Sequence, residues 1–477
     1  MYSITSRARR SAWLGVALAA IALAPRPNPA GAQTVRPLAY TRIVLPNGLV
    51  VLLNEDHSSP VVAVDVWYHI GAKDEHPGHT GLAHLCEHLM GQGSPNEPVE
   101  PKVFLGQRGG RSPYWALTTQ DITHYFATIP SNQLETALWL ESDRMAFPLT
   151  RADAAHLGPV RDVIRQERAQ REESRAFGFA EPLIAREIMD VPYQIDPVGD
   201  PADLNAATAE EAKAFCLPYY VPNNAVLALS GDFVSAQAKA WITKYFGPIP
   251  RRADPTHPAI HTPVSTTERR IVLEDAKARA PQFRRVWAGA ATATPDLLAL
   301  LALGSILSRD RVGPLSKALV YDRPLATQVF ATDFDLEKSG VFQIVVVPRA
   351  GASLTAIEQV VDSVVADVRE HGVTAEELEP YKKSNAVLAI TSLQSRESRA
   401  DTLAHDEIFA GDPVGYAKQV SATSALTPAD ILRVARQYLG PGGVVMSLVP
   451  AGKLDLIAKP ELPYKNVTPA PAAKVTP

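Results

Sequence analysis

The chain has 477 residues, of which 46% are hydrophobic and 21% are charged, and its formal net charge is −4. This composition excludes intrinsic disorder over most of the length, and the length predicts roughly two to four domains. The slightly acidic charge excludes an extended basic surface for nucleic acid.

The N-terminal segment, positions 1–32, has the pattern of a secretory signal peptide. Arg7, Arg9 and Arg10 precede the apolar run SAWLGVALAAIALA, and Ala30 to Ala32 offer small residues for cleavage. The run of about 14 residues is too short to span a bilayer, so we expect removal rather than a stable membrane anchor. The mature protein is therefore predicted to be exported to the periplasm of a Gram-negative bacterium, with secretion to the medium as the alternative.

Strands and helices alternate through the next part of the chain. Residues 43–56 (IVLPNGLVVLLNED) read as strand, turn and strand, and residues 60–72 (PVVAVDVWYHIGA) alternate with a period of two. Residues 121–130 predict another strand, and residues 131–145 (SNQLETALWLESDRM) predict an amphipathic helix. A longer, charged helix is predicted within residues 158–174 (GPVRDVIRQERAQREES).

The stretch GLAHLCEHLMGQGS, residues 81–94, lies between these elements and carries two histidines four residues apart. On an α-helix, Glu87 and His88 fall about 60° and 40° to either side of His84, so all three share one face. Two imidazoles at this spacing can hold one divalent metal, with the carboxylate beside them free to act on water. Until a third ligand is identified, ordinary polar residues on a helix remain the alternative interpretation.

The two halves of the chain have similar patterns. Residues 247–269 are proline-rich and aperiodic, which predicts a linker. Residues 219–233 (YYVPNNAVLALSGDF) and 437–452 (QYLGPGGVVMSLVPAG) each lead from a helix end through a turn to an apolar strand. We therefore predict a duplicated α+β unit, with two unrelated domains as the alternative. The predicted order is a signal peptide (1–32), a metal-bearing domain (33–246), the linker (247–269), a similar domain lacking metal-type residues (270–458) and a disordered tail (459–477).

The chain contains two cysteines, Cys86 and Cys216, too few for a disulfide scaffold. Cys86 lies about 200° around its helix from His84 and so points away from the metal face. We expect both cysteines to be small buried hydrophobic residues.

The predicted charged helix offers candidates for a third metal ligand, namely Glu167, Glu172 and Glu173. Periodicity does not choose among them. The sequence resembles the pitrilysin or insulinase family of zinc peptidases over nearly all of the mature chain. The likeness rests on the metal helix, on VRDVIRQERAQ, on Gly109 and Gly110, on Thr118, Asp121 and Thr123, and on Tyr220, Pro222, Asn223 and Asn224.

The resemblance implies a role for each residue of the site. His84, His88 and Glu167 would bind one zinc ion, and Glu87 would accept a proton from the attacking water. Glu167 matches because its separation from His88 along the chain lies within the spacing of the family. The implied fold is a clamshell of two similar domains, each a mixed, largely antiparallel sheet covered by helices. The implied activity is that of a zinc metalloendopeptidase acting on peptides or unfolded polypeptide segments.

Three departures from the family pattern stand out. Val160 occupies the place of a glutamate that orients a zinc histidine, and Asp162 is a candidate substitute. Trp115 replaces the asparagine of a substrate-binding motif, so Trp115 and Ala116 are the candidate substrate contacts. An arginine and a tyrosine that reach the substrate from the second half are replaced by Val320 and Thr327.

The missing arginine and tyrosine imply a partner. In two-subunit members of the family, one chain keeps the zinc motif and the other keeps the arginine and tyrosine. We therefore expect a heterodimer with a homologous chain that carries those two residues. The alternative is a non-catalytic scaffold or assembly subunit of the same fold.

Overall fold

The computed structural model describes residues 35–261 and 265–468. The predicted signal peptide and the end of the predicted tail lie outside this range. Among the described residues, no helix combines the length and the apolar character needed to cross a bilayer.

A six-stranded sheet forms the centre of the first half, with strand order β1-β2-β6-β3-β5-β4. Its strands are β1 (Thr41–Val44), β2 (Val50–Glu55), β3 (Val61–Tyr68), β4 (Arg111–Thr118), β5 (Thr123–Pro130) and β6 (Ala225–Gly231). β2 and β6 are parallel, and the other neighbours are antiparallel. The sheet is therefore mixed and largely antiparallel, as predicted.

A second six-stranded sheet has the order β12-β7-β11-β8-β10-β9. Its strands are β7 (Glu268–Asp275), β8 (Gln282–Gly289), β9 (Ala326–Asp335), β10 (Gly340–Pro348), β11 (Gly443–Pro450) and β12 (Lys465–Val467). In each sheet the first long strand lies parallel to the last long strand of its half (β2 to β6, and β7 to β11), and an antiparallel hairpin ends at the edge. This shared order of five strands confirms the predicted duplication.

Helices connect the strands of each half. Those of the first half are α1 (Leu82–Met90), α2 (Pro101–Gly106), α3 (Leu134–Ala146), α4 (Ala154–Arg168), α5 (Ala180–Ile188), α6 (Pro201–Ala206), α7 (Ala209–Cys216) and α8 (Ser235–Phe246). Those of the second half are α9 (Pro295–Ser308), α10 (Pro314–Ser316), α11 (Leu354–His371), α12 (Ala375–Ser392), α13 (Arg396–Ala410), α14 (Gly415–Ala425) and α15 (Pro428–Tyr438). The described residues between α8 and β7 form no helix or strand.

The period-two pattern of β3 directs alternate side chains to the two faces of the sheet, and each face packs into a different hydrophobic core. Val62, Val64 and Val66 pack on the inner face of the first sheet with α1, α3 and α8. Ala63 and Trp67 pack on the outer face against α13, a helix of the second half. In the same way α5, from the first half, covers the outer face of the second sheet. The two halves thus exchange helices, which explains why both faces of β3 are buried.

Two expectations from the sequence are wrong. Cys86 and Cys216 are buried, but they form a disulfide across 130 residues instead of packing as free thiols. The predicted disordered tail begins too early, because β12 pairs in parallel with β7. The proline-rich composition of the tail gave no indication of the short strand β12. The partner of β12 is β7, which lies far away along the chain, and local composition does not predict such a distant contact.

Candidate active site

Helix α1 begins directly after a backbone turn that two glycines make possible. Gly81 adopts a left-handed conformation, with φ of 84°. A side chain on Gly199 would lie 2.5 Å from the Cα atom of Gly81, so the two backbones approach closely. This contact places the first turn of α1 against the loop that precedes α6.

A buried carboxylate caps the same end of the helix. Glu75 accepts hydrogen bonds from the backbone N–H groups of Gly81 and Ala83, both at 2.7 Å. These two groups would otherwise lack an intrahelical partner at the start of the helix. The Cys86–Cys216 disulfide then joins the opposite face of α1 to α7. Cys86 therefore points away from the histidines, as predicted.

His84, His88 and Glu167 come together at the contact between α1 and α4. The Nε2 atoms of His84 and His88 are 3.1 Å apart. They lie 3.3 Å and 3.4 Å, respectively, from the same Oε2 atom of Glu167. Three donors bound at about 2.0–2.2 Å to one tetrahedral zinc ion would be about 3.3–3.5 Å from one another. The donor set and its spacing therefore fit a zinc ion.

The three side chains also influence one another electrostatically. Burial raises the pKa of Glu167, but hydrogen bonds with His84 and His88 outweigh it and leave the pKa well below its usual range. Burial lowers the pKa of His88, and the hydrogen bond with Glu167 outweighs it, so this pKa is raised. A site that favours a carboxylate beside two imidazoles is suited to a cation. The side chain of Glu167 is 44% exposed, so the site is open on that side.

Of the three glutamates that the charged helix offers, only Glu167 reaches the histidines. Glu172 is buried and pairs with Arg168 at 3.2 Å. Glu173 lies with Glu172 in a π-helical turn after α4 ends. The change of helical pitch after Arg168 carries both of these glutamates away from the face that Glu167 shares with α1.

Glu87 lies beside the histidines and is 7% exposed. Thr118, the last residue of β4, donates a hydrogen bond of 2.7 Å to its Oε2 atom. The hydroxyl of Thr118 is also 3.1 Å from that of Thr123, which donates to the carbonyl of Ile70. The threonine motif therefore holds the carboxylate of Glu87 in one orientation. Sequence reasoning singled out these threonines without assigning them this role.

Asp121, the acidic residue of the same motif, connects the two halves. It accepts a hydrogen bond from the hydroxyl of Tyr193 at 2.7 Å and another from the backbone N–H of Glu337 at 2.9 Å. The carboxylate of Glu337 pairs with His69 at 2.7 Å and lies 3.6 Å from the buried Lys73. This network fixes the turn between β9 and β10 next to the first half.

The predicted substrate contacts lie on an edge strand. β4 ends the first sheet, and within it the backbone of Trp115 is paired with Phe126 and that of Ala116 with Tyr125. Ala116 is partly buried against the first core. The other edge of β4 has no strand partner among the described residues, so its backbone is available to an extended peptide.

The position of the family's histidine-orienting glutamate holds Val160, and Asp162 is the candidate substitute for that glutamate. Val160 is buried, and Asp162 is exposed and paired with Arg165 on the surface of α4. Asp162 therefore does not orient a zinc histidine. The Nδ1 atom of His84 is buried and has no hydrogen-bond partner among the described residues.

The positions of the missing arginine and tyrosine are filled by side chains with other roles. Val320 packs against the core of the second half. Thr327 lies on β9, where its hydroxyl donates to the carbonyl of Val347. Neither residue supplies a cation or a phenol.

Comparisons with known proteins agree with this architecture. The model of the insulinase family of peptidases, M16, matches residues 50–197, and the model of the M16 inactive domain matches residues 206–385. The zinc protease PqqE of Helicobacter pylori is 26% identical over 407 residues, which are 84% of this chain and 90% of that protein. A probable beta subunit of the mitochondrial processing peptidase of Arabidopsis thaliana is 20% identical over 445 residues, or 89% of this chain and 81% of that one.

Solved structures share the fold. The crystal structure of a protease from Helicobacter pylori superposes with a TM-score of 0.79 at 24% identity. The match covers 87% of this chain and 100% of the other. It confirms the predicted clamshell of two similar α+β domains.

Proposed function

The chain belongs to the insulinase, or M16, family of peptidases, and on that premise we propose that it is a zinc-dependent endopeptidase that hydrolyses peptides or unfolded polypeptide segments. The observation that carries this proposal is the convergence of His84, His88 and Glu167 beside Glu87. Their ligand atoms lie 3.1–3.4 Å apart, close to the spacing of about 3.3–3.5 Å around a tetrahedral zinc ion. Relatives named as zinc proteases support the same metal.

The residues of the site divide the chemistry among them. His84, His88 and Glu167 would hold the metal. When bound, zinc supplies Lewis acidity, which polarises a carbonyl and brings the pKa of water to about 7. Glu87 accepts a proton from the attacking water and delivers it to the leaving amine, because it is buried beside the histidines and oriented by Thr118.

The edge strand β4 supports a mode of substrate binding. An extended peptide can add as a further strand beside β4, and the main-chain hydrogen bonds then select an unfolded segment over a folded one. Trp115 and Ala116 would contact the substrate at this edge, the alanine through its backbone.

A partner chain would complete the site. Val320 and Thr327 do not replace the arginine and tyrosine that the family uses to stabilise the developing oxyanion. The relative named as a beta subunit supports the idea that such a chain functions within an assembly. We therefore favour a heterodimer with a homologous chain that carries the arginine and tyrosine.

The alternative function is a scaffold or assembly subunit without catalysis. The loss of the arginine and tyrosine favours it, as does the Nδ1 atom of His84, which has no hydrogen-bond partner within residues 35–261 and 265–468. Against it, a scaffold has no chemical need for a glutamate held in place beside two metal-binding histidines. A peptidase accounts for both Glu87 and its hydrogen bond from Thr118.

Export is part of the proposal. The Cys86–Cys216 disulfide supports it, because disulfides persist in oxidising compartments such as the periplasm. Cell fractionation followed by N-terminal sequencing should find the mature chain in the periplasm, beginning at Gln33. A chain that retains its N-terminal segment in the cytoplasm would contradict this.

The test of the activity is hydrolysis of an unstructured fluorogenic peptide by the purified, zinc-loaded mature chain. Glu87→Gln should retain zinc and lower turnover by about 10²–10⁴-fold, since it removes the general base. Glu370→Gln, at an exposed site on α11, is the matched control and should not change the rate.

The partner is tested in the same assay. Turnover that rises only when a homologous arginine- and tyrosine-bearing chain is added would support the heterodimer. Full activity of the single chain would contradict the need for a partner. Zinc binding without turnover under either condition would favour the scaffold function.

A further inference from the structure

A second group of metal-binding side chains lies on the opposite face of the first sheet from α1. Asp65 on β3 and His124 on β5 belong to neighbouring strands and are close in register. Asp401 comes from α13, the helix of the second half that covers this face. Each of the three residues has a ligand atom within 4.8 Å of those of the other two.

The spacing resembles that of the site on α1. The Nδ1 atom of His124 is 3.3 Å from the Oδ1 atom of Asp65 and 3.9 Å from the Oδ1 atom of Asp401. The shorter distance equals that between His84 and Glu167. The longer one involves a side chain that is 52% exposed and has no hydrogen bond to another described residue, so it can adjust to a ligand.

Two of these side chains are buried without satisfying their ligand atoms. Asp65 is 3% exposed and His124 is 6% exposed. The Oδ1 atom of Asp65 and the Nδ1 atom of His124 have no hydrogen-bond partner among the described residues, although they lie near each other. The two atoms are close enough to interact but lack hydrogen-bond geometry, an arrangement that two ligands around a shared cation would also have.

There is room for a cation and its water. A cavity of about 210 Å³ is lined by Asp65, His124 and Asp401. The ring of His124 packs against two aromatic rings, with centroid distances of 4.6 Å to Trp67 and 4.9 Å to Phe126. These contacts hold the imidazole in one orientation, as a metal ligand requires.

We infer that Asp65, His124 and Asp401 bind a second divalent cation that joins α13 to the first sheet. One imidazole and two carboxylates suit zinc or manganese, whereas calcium and magnesium prefer oxygen ligands alone. A cation also relieves the repulsion between the two carboxylates that face the same cavity. Because the ligands come from both halves, the ion fixes the position of one half relative to the other.

The competing arrangement is a protonated His124 held between two carboxylates, with no metal. Burial lowers the pKa of His124, and the interaction with Asp65 outweighs it, so this pKa is raised, as a protonated imidazole requires. The contact of 3.3 Å with Asp65 nevertheless lacks hydrogen-bond geometry, and the Nδ1 atom makes no hydrogen bond to another described residue. The two arrangements make opposite predictions for the amount of metal bound per chain.

The experiment measures zinc per chain by equilibrium dialysis and elemental analysis of the full mature protein after chelation and reloading. The wild type should bind two ions, and His84→Ala/His88→Ala should bind one. Asp401→Asn should also bind one, and the combination of all three substitutions should bind none. His371→Ala, an exposed histidine on α11, is the matched control and should still bind two.

Retention of the first ion by Asp401→Asn also shows that this variant is folded. A wild type with one zinc ion and a His84→Ala/His88→Ala variant with none would overturn the inference. So would a second ion that Asp401→Asn does not displace, since that ion would be bound elsewhere. Calcium in place of zinc should leave this site empty.

Thermal unfolding provides an independent readout. In the His84→Ala/His88→Ala background, zinc at 100 times its dissociation constant should raise the Tm by roughly 3 °C, because it binds only the folded state. Asp401→Asn in that background should abolish the shift. An equal shift with and without Asp401 would contradict a bridge between the halves.

Discussion

The helices that follow β3 and β8 occupy the same place in the two halves but have different surfaces. α1 combines a buried apolar side with His84 and His88, which face α4, and with Glu87, which contacts Thr118 at the end of β4. α9 is buried along most of its length and carries none of these residue types on its inner face. The duplicated core therefore accepts either helix, and the face with the two histidines is an addition to one copy that the fold itself does not require.

The halves also depend on each other. Each sheet has its outer face covered by a helix of the other half, α13 on the first sheet and α5 on the second. Arg42 and Arg399 add ion pairs across this arrangement, with Glu407 and Asp56 respectively. A change in one half is therefore expected to affect the other, and the differences between the copies can be tested one at a time.

The largest difference in stability should come from the disulfide, which only the first half contains. Cys86→Ala/Cys216→Ala should lower the free energy of unfolding by about 4 kcal/mol, because a cross-link across 130 residues restricts the unfolded chain. Urea unfolding followed by fluorescence measures this. With dithiothreitol the wild type and the double variant should converge, and equal midpoints without it would contradict the expectation.

A smaller effect on stability should come from the second half and should depend on pH. Burial there raises the pKa of the Asp333 carboxyl to about 7. Its counterpart at the corresponding position of β4 is Ala116. The pKa of the unfolded carboxyl is about 3.9. Between these values the native state keeps a proton that the unfolded state has lost, so stability decreases as the pH rises.

Asp333→Asn imitates the protonated carboxyl and should remove this pH dependence. From about pH 4 to pH 7 the wild type should lose about 3 kcal/mol more stability than the variant. Denaturant unfolding at a series of pH values gives the difference directly. Parallel curves for the two proteins would show that Asp333 is ionised in the native state across this range.

The smallest effect should be on catalysis, from a substitution at the end of β4. The corresponding strand of the second half is β9. Thr118 donates to Glu87, whereas Asp335 at the end of β9 accepts a hydrogen bond from Thr292. Thr118→Val should lower kcat about fivefold with little change in KM, since one hydrogen bond contributes about 1 kcal/mol. Thr118→Ser should restore the rate, and a loss confined to KM would contradict a role in orienting Glu87.

Local patterns were sufficient to predict some of these features. The period of two identified β3, and the four-residue spacing identified the shared face of His84 and His88, because both depend only on the geometry of one element. Glu167 required the family resemblance, since it lies far from His88 along the chain and its charged helix offers several glutamates.

Features that depend on distant segments were missed. The bond between Cys86 and Cys216 depends on α7 packing beside α1, which neither local sequence indicates. β12 was hidden by its proline-rich surroundings. The group around His124 combines β3, β5 and α13, and only the exchange of helices between the halves brings these elements together.

We propose that the first half binds a metal through α1 and α4 whereas its duplicate does not. Crystals of the zinc-loaded mature chain, measured on both sides of the zinc absorption edge, would locate the ions directly. We predict an anomalous peak within bonding distance of His84, His88 and Glu167 and none beside α9. Zinc bound in the crystal without a peak at those three residues would contradict metal binding by α1 and α4.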